Sequence, residues 1–179
     1  MAQELVWLDL EMTGLDPKRH RIIEIASIIT DLDLNIIAEG PDLVIHTHDK
    51  ILERMNDFVH EMHHSSGLIE EVKNSKITIE EAEIQTLEFI EKHLGTKYKP
   101  PLCGNSIGTD RRFLDDQMNK LEQRLHYRVV DVTSIKELVK RWHPEINAIV
   151  PPKKENHRAL GDIIESIEEL KFYRKHLFK

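Results

Sequence analysis

The residues of this sequence best suited to chemistry are Asp9, Glu11, Asp110 and Asp162, with His157 five positions before the last of them. Asp9 and Glu11 lie in Leu5-Val6-Trp7-Leu8-Asp9-Leu10-Glu11, a run that reads as a β-strand. Side chains two apart on a strand share a face, with Cα atoms roughly 6.5–7 Å apart. Carboxylates gathered on one face repel each other and resist leaving water unless a cation neutralises them. A pair of divalent metals roughly 3.5–4 Å apart needs about this many oxygen ligands, and such pairs serve in-line displacement at phosphorus. Oxygen ligands suit hard cations such as Mg²⁺ or Mn²⁺ better than zinc. The pattern points to metal-dependent phosphodiester cleavage.

His157 has the chemistry of a general base. Five helical residues would turn it ~140° away from Asp162, so both can serve one site only if His157 stands on the loop before the helix. The Pro/Lys stretch Val150–Glu155 favours such a loop. His60, His63 and His64 form a second cluster, but no cysteine or further partner joins it into a zinc site.

The order Asp-x-Glu, a distant Asp, then His-x4-Asp resembles the DEDDh branch of 3′→5′ exonucleases, a family of ribonuclease H-like architecture. Its flanks are similar to the oligoribonucleases within that branch. These are Trp7 to Pro17, Ile22-Ile23-Glu24-Ile25-Ala26, Cys103 to Leu114, His126-Tyr127-Arg128, Asp131-Val132 and Lys136-Glu137-Leu138. The likeness runs from residue 5 to the final helix.

The resemblance implies two Mg²⁺ or Mn²⁺ ions on Asp9, Glu11, Asp110 and Asp162, with His157 as base. It also implies a substrate pocket. Leu15 stands where an apolar wedge separates two bases, and Phe58 replaces a tryptophan that stacks on a base. His63 matches a histidine on the phosphate side. Ser106, Arg128 and Thr133 match residues that close around a 5′-phosphate, Thr133 standing where relatives often carry serine. Tyr127 matches a tyrosine of the active site that reaches across a dimer interface. The implied activity is release of nucleoside 5′-monophosphates from the 3′ end of very short RNAs, dinucleotides above all, by a homodimer. A proofreading or tRNA-trimming exonuclease and a silent nucleotide-binding module are the alternatives.

Composition bears on the substrate. The chain has 179 residues, 40% hydrophobic and 32% charged, with net charge −7 and a pI near 5.9. Proteins that hold long polynucleotides use extended basic surfaces. Here the basic residues come in small knots, Lys18 to Arg21, Arg111-Arg112, Lys140-Arg141 and Lys153-Lys154. Setting aside the four site carboxylates still leaves a negative chain. A short substrate is expected, and long duplex nucleic acid is not. Cys103 is the sole cysteine, so no intrachain disulfide forms. No stretch approaches the roughly 20 apolar residues of a membrane span, and no basic, apolar-cored leader is expected before the first strand. These features lead us to expect a bacterial cytoplasmic protein.

The elements that must position these residues read as follows. A strand over Arg21–Thr30 is expected after the first, then a hairpin at Asp31–Asn35 into Ile36–Ala38 and Leu43–His46. Residues 49–72 carry short helices interrupted at Ser65-Ser66-Gly67. Thr78 and Glu81 form a capping box for a helix to about Leu94. A short buried strand over Leu102–Asn105, a helix from about Thr109, a strand over Arg128–Val132 and a helix from Thr133 or Ser134 follow. The last helix presents Ile163, Ile164, Ile167, Leu170 and Tyr173. Trp7, Trp142 and Cys103 are expected in the core. The sum is one α/β domain over residues 1–179, a mixed sheet of about five strands flanked by helices.

Overall fold

The computed structural model describes residues 4–153 and 157–178. Its centre is β1 (Leu5–Met12), with β2 (Ile22–Thr30) antiparallel on one flank and β3 (Ile36–Val44) antiparallel beyond it. On the other flank β4 (Pro101–Gly104) runs parallel to β1, and β5 (His126–Asp131) parallel to β4. The order is β3-β2-β1-β4-β5. The mixed five-stranded sheet is thus as expected.

Alternation along β1 decides what lies on each face. Val6, Leu8 and Leu10 pack with Ile25 and Ile29 against Ala82 and Ile90 of α4 (Ile79–Leu94) and Phe113 and Leu114 of α5 (Gly108–Gln117). Trp7 faces the other way, with Ala26 and Ile28, against Ile163, Ile167, Leu170 and Tyr173 of α9 (Ala159–Leu177) and Val139 of α7 (Val132–Trp142). By the same alternation Asp9 and Glu11 share the face of Trp7, towards α9. Helices on both sides explain why all nine residues of β2 are buried. Truncating a fully buried aromatic such as Phe113 to alanine would cost about 3–5 kcal/mol.

Local signals account for most boundaries. Asp31 Oδ1 accepts from the N–H groups of Asp33 and Asn35, which fixes the β2–β3 turn and holds Leu34 at φ 66°. Thr78 and Glu81 make the reciprocal capping box at the start of α4. The Ser65-Ser66-Gly67 interruption separates α2 (Asp57–Ser65) from α3 (Leu68–Asn74), and Gly67 takes φ 79°, a left-handed geometry glycine adopts without a Cβ penalty. α1 (Asp49–Leu52) and α8 (Pro144–Asn147) are short helical turns.

Several expectations are corrected. Residues 36–44 form one strand with register shifts, not two pieces. The helix expected from about Thr109 begins at Gly108 and ends before Met118, whose φ −137° and ψ 57° leave helical space ahead of α6 (Asn119–Arg124). The start of α7 lies earlier than Thr133, because Asp131 caps it by accepting from the Thr133 N–H. Trp142, the last residue of α7, is 67% exposed instead of lying in the core. Trp7 and Cys103 are fully buried, and burial pushes the Cys103 thiol well above its usual value. In the final helix Ile164 points outward, while the other four stripe residues are buried. Lys154 and Glu155, at the end of the Pro/Lys loop, lie outside the described residues.

Candidate active site

Three elements deliver the carboxylates. Asp9 and Glu11 project from β1, and Asp162 stands in the first turn of α9, where a helix dipole favours negative charge. These three offer oxygens that all lie within 4.8 Å of one another. Asp110, in the first turn of α5, accepts the N–H of Leu10 at 3.1 Å, so its carboxylate sits against the strand between Asp9 and Glu11.

All four carboxyls are raised above the ordinary carboxylate range, and burial is the main cause for each. Asp9 is pushed well up, with repulsion from Asp110, Glu11 and Asp162 added to burial. Glu11 reaches about 9, through burial and then Asp162, Glu24 and Asp110. Asp110 reaches about 7 by burial, against hydrogen bonds from its own backbone and from Leu10. Among the described residues no lysine or arginine forms an ion pair with these four carboxylates. Oxygen donors, proximity and unmet charge together fit hard divalent cations.

His157 stands outside α9, two residues before its first turn, as the spacing requires. Its φ of 48° is left-handed, and its positive charge when protonated would draw the Asp162 carboxyl down. The side chain lines a cavity of about 900 Å³ with Phe58, Met62 and Arg158. A neighbouring cavity of about 600 Å³ joins Glu11, Leu15, Phe58 and Met62. Phe58, 75% exposed on α2, therefore borders both spaces, one reaching the carboxylates and one reaching the histidine.

His63 is enclosed, at 0% exposure. Its Nε2 lies 2.9 Å from the carbonyl of Met12, which can only accept, so Nε2 carries a proton. Nδ1 is 3.8 Å from Glu11 Oε2. Burial draws the imidazole pKa down, so the neutral ring is favoured and props the end of β1.

Ser106 and Thr133 come together. Ser106 has φ 51°, and its N–H is shared between Thr133 Oγ1 (2.8 Å) and Asp131 Oδ1 (3.1 Å). The two hydroxyls are 3.2 Å apart. Thr133 donates to Asn105 Oδ1, and Asn105 Nδ2 reaches Ser166 and Glu169 of α9. Arg128 instead gives its Nε–H to the Tyr127 hydroxyl at 3.1 Å, beside a Tyr127 ring that is 73% exposed.

Sequence reasoning missed Asp131 and Asn105, which seat the hydroxyl pair. It also missed Glu24 and Arg158. Arg158 Nε donates to Glu24 Oε1 at 2.8 Å, and its Nη groups bind both oxygens of Glu71. Asp131, two residues before Thr133, carried a capping signal. The partners of Arg158 are too distant in sequence to leave one.

The exonuclease family model matches residues 6–170. The oligoribonuclease of Vibrio parahaemolyticus is 54% identical over 177 residues, covering 99% of this chain and 97% of its own. That of Marinobacter nauticus is 55% identical over 178 residues, covering 99% and 98%. Among solved structures, E. coli exonuclease I in complex with single-stranded DNA superposes with a TM-score of 0.74 at 15% identity. This chain spans 99% of its own length in that match but only 41% of the exonuclease I chain, and the likeness is one of fold. With 54–55% identity across nearly the whole of both oligoribonucleases and an exonuclease model spanning residues 6–170, the chain belongs to the oligoribonuclease family of exonucleases.

Proposed function

We propose that this chain is a 3′→5′ exoribonuclease that hydrolyses very short oligoribonucleotides, above all 5′-phosphorylated dinucleotides, to nucleoside 5′-monophosphates. The observation that carries the proposal is the approach of Asp9, Glu11 and Asp162 to within 4.8 Å, with Asp110 held against the same strand. Two Mg²⁺ or Mn²⁺ ions on these four residues would neutralise them, lower the barrier to forming the nucleophile and stabilise charge at the phosphorus. His157 takes the proton of the attacking water from its place beside Asp162. Leu15 and Phe58 hold the bases of the two nucleotides at either side of the cavity that reaches Glu11. The Ser106 and Thr133 hydroxyls, with the Arg128 guanidinium swung from Tyr127, bind the 5′-phosphate. A capped 5′ end leaves no path for a longer chain, and the net charge of −7 disfavours one.

The protein acts as a homodimer, to which Tyr127 contributes from the exposed edge strand β5. No helix among the described residues is long and apolar enough to cross a membrane. The buried, unpaired Cys103 suits a reducing compartment such as the cytoplasm.

Turnover of a radiolabelled diribonucleotide, compared with a long RNA and with single-stranded DNA, tests the proposal. Preference for the diribonucleotide is expected. Faster cleavage of either long polymer would overturn the length assignment.

A further inference from the structure

We propose that Arg158 is a positioning residue: clamped between Glu24 and Glu71, it fixes the turn that aims His157 and the helix start that places Asp162. This inference rests on reading Asp9, Glu11 and Asp162 as a cation site.

Glu24 is the starting point. It lies on β2 directly opposite Glu11 in the strand register and is 0% exposed. An acid so near the carboxylate cluster would be taken for another cation ligand. Its oxygens are committed elsewhere. Oε1 accepts from Arg158 Nε at 2.8 Å and lies 2.7 Å from Nη2, while Oε2 accepts from the N–H of Ala159 at 3.0 Å. Glu24 thus satisfies a free backbone donor in the first turn of α9 and pairs with the side chain just before it.

The other edge of the same guanidinium binds Glu71 of α3 in bidentate fashion, Nη1 to Oε1 at 2.9 Å and Nη2 to Oε2 at 2.8 Å. One planar group therefore joins β2, α3 and the start of α9. Lysine, a single point donor on a flexible stem, cannot reproduce that double fork. The joint sits between the two groups whose placement matters, with His157 immediately before it and Asp162 four residues after. His157 takes φ 48°, a conformation that persists only when neighbouring contacts over-determine it. The clamp at the next residue supplies those contacts.

Outer contacts that orient ligands typically change metal affinity or activity by about 10–100-fold when removed. Arg158→Lys in the full chain should lower diribonucleotide kcat by about that factor and leave KM near the wild-type value. Mn²⁺ binding followed by calorimetry should weaken as Asp162 loses its fixed position. Glu71→Ala should give a smaller loss, because Glu24 still holds Arg158. The double variant should be no worse than Arg158→Lys alone. Circular dichroism checks folding, and Arg174→Lys, in a surface pair with Asp33, controls for generic loss of an arginine.

Raised KM with kcat intact would overturn the proposal by showing that Arg158 binds substrate. A lower melting temperature with kcat and Mn²⁺ affinity unchanged would overturn it in favour of a purely structural pair. Wild-type protein that binds no Mn²⁺ would reject the cation site, and the clamp's purpose with it. Wild-type protein that binds Mn²⁺ without cleaving diribonucleotide would reject only the substrate reading, leaving the Mn²⁺ affinities of the variants to decide the clamp.

Discussion

At the scale of single residues, the carboxylates combine two properties that ordinarily conflict, burial and like charge. Asp110→Asn separates them. The amide oxygen still accepts from Leu10, so α5 stays tied to β1, but a site charge is lost. Turnover should fall by about 100-fold or more, with the circular dichroism spectrum unchanged; native kcat in this variant would refute its assignment as a cation ligand. Protonation gives a second test. In the cation-free fold Glu11 lies at about 9 against an ordinary 4.5, and Asp110 at about 7 against 3.8. The folded state therefore holds more protons than the unfolded state through that interval. Stability is greatest below the ordinary values and falls as pH rises towards 9. Melting temperature in chelator should decline between neutral and alkaline pH, and Mg²⁺ should raise it most at the alkaline end. A flat profile in chelator would contradict the burial of these charges.

At the scale of elements, the hydroxyl pair depends on a helix cap. Asp131 Oδ1 accepts from Thr133 N–H, starting α7, and from Ser106 N–H, holding the left-handed turn after β4. Asp131→Ala should cost about 1–2 kcal/mol of stability, the upper range for a lost cap. It should also weaken a 5′-phosphorylated dinucleotide more than its unphosphorylated counterpart. Denaturant melts and the two affinities measure this; equal losses for both ligands would detach Ser106 and Thr133 from the phosphate. The same elements show what sequence conveys. The strands β1 and β2 and the capped helix α4 are local patterns of alternation, apolar runs and reciprocal side chains, and they were legible. The carboxylates were legible through fixed order and spacing. The Arg158–Glu24 pair was not, since its members lie 134 residues apart and a buried ion pair imposes no local periodicity. Trp142 was misread for a related reason. An aromatic residue declares that a face is apolar but not whether that face turns to the chain's own core.

At the scale of the whole molecule, exposed apolar side chains on β5, on α7 and after α8 bear on assembly. Tyr127 and Val129 of the edge strand β5, Leu138 and Trp142 of α7, and Ile149 beyond α8 are all exposed. Large exposed apolar groups on neighbouring elements mark association surfaces, and a two-fold dimer uses one patch twice. If two chains associate through these residues, Trp142→Asp should shift the protein from dimer to monomer by light scattering, while Asp110→Ala should not. If Tyr127 completes the partner's phosphate pocket, the monomer should lose most activity although its carboxylates are intact. Mixing subunits separates that idea from a role within one chain. In a mixed dimer of Asp110→Ala and Tyr127→Ala chains, shared sites place both lesions in one pocket and leave the other whole. Activity should rise above that of either parent after subunit exchange. Should Tyr127 act only within its own chain, every pocket retains one lesion, and no mixing ratio would restore turnover.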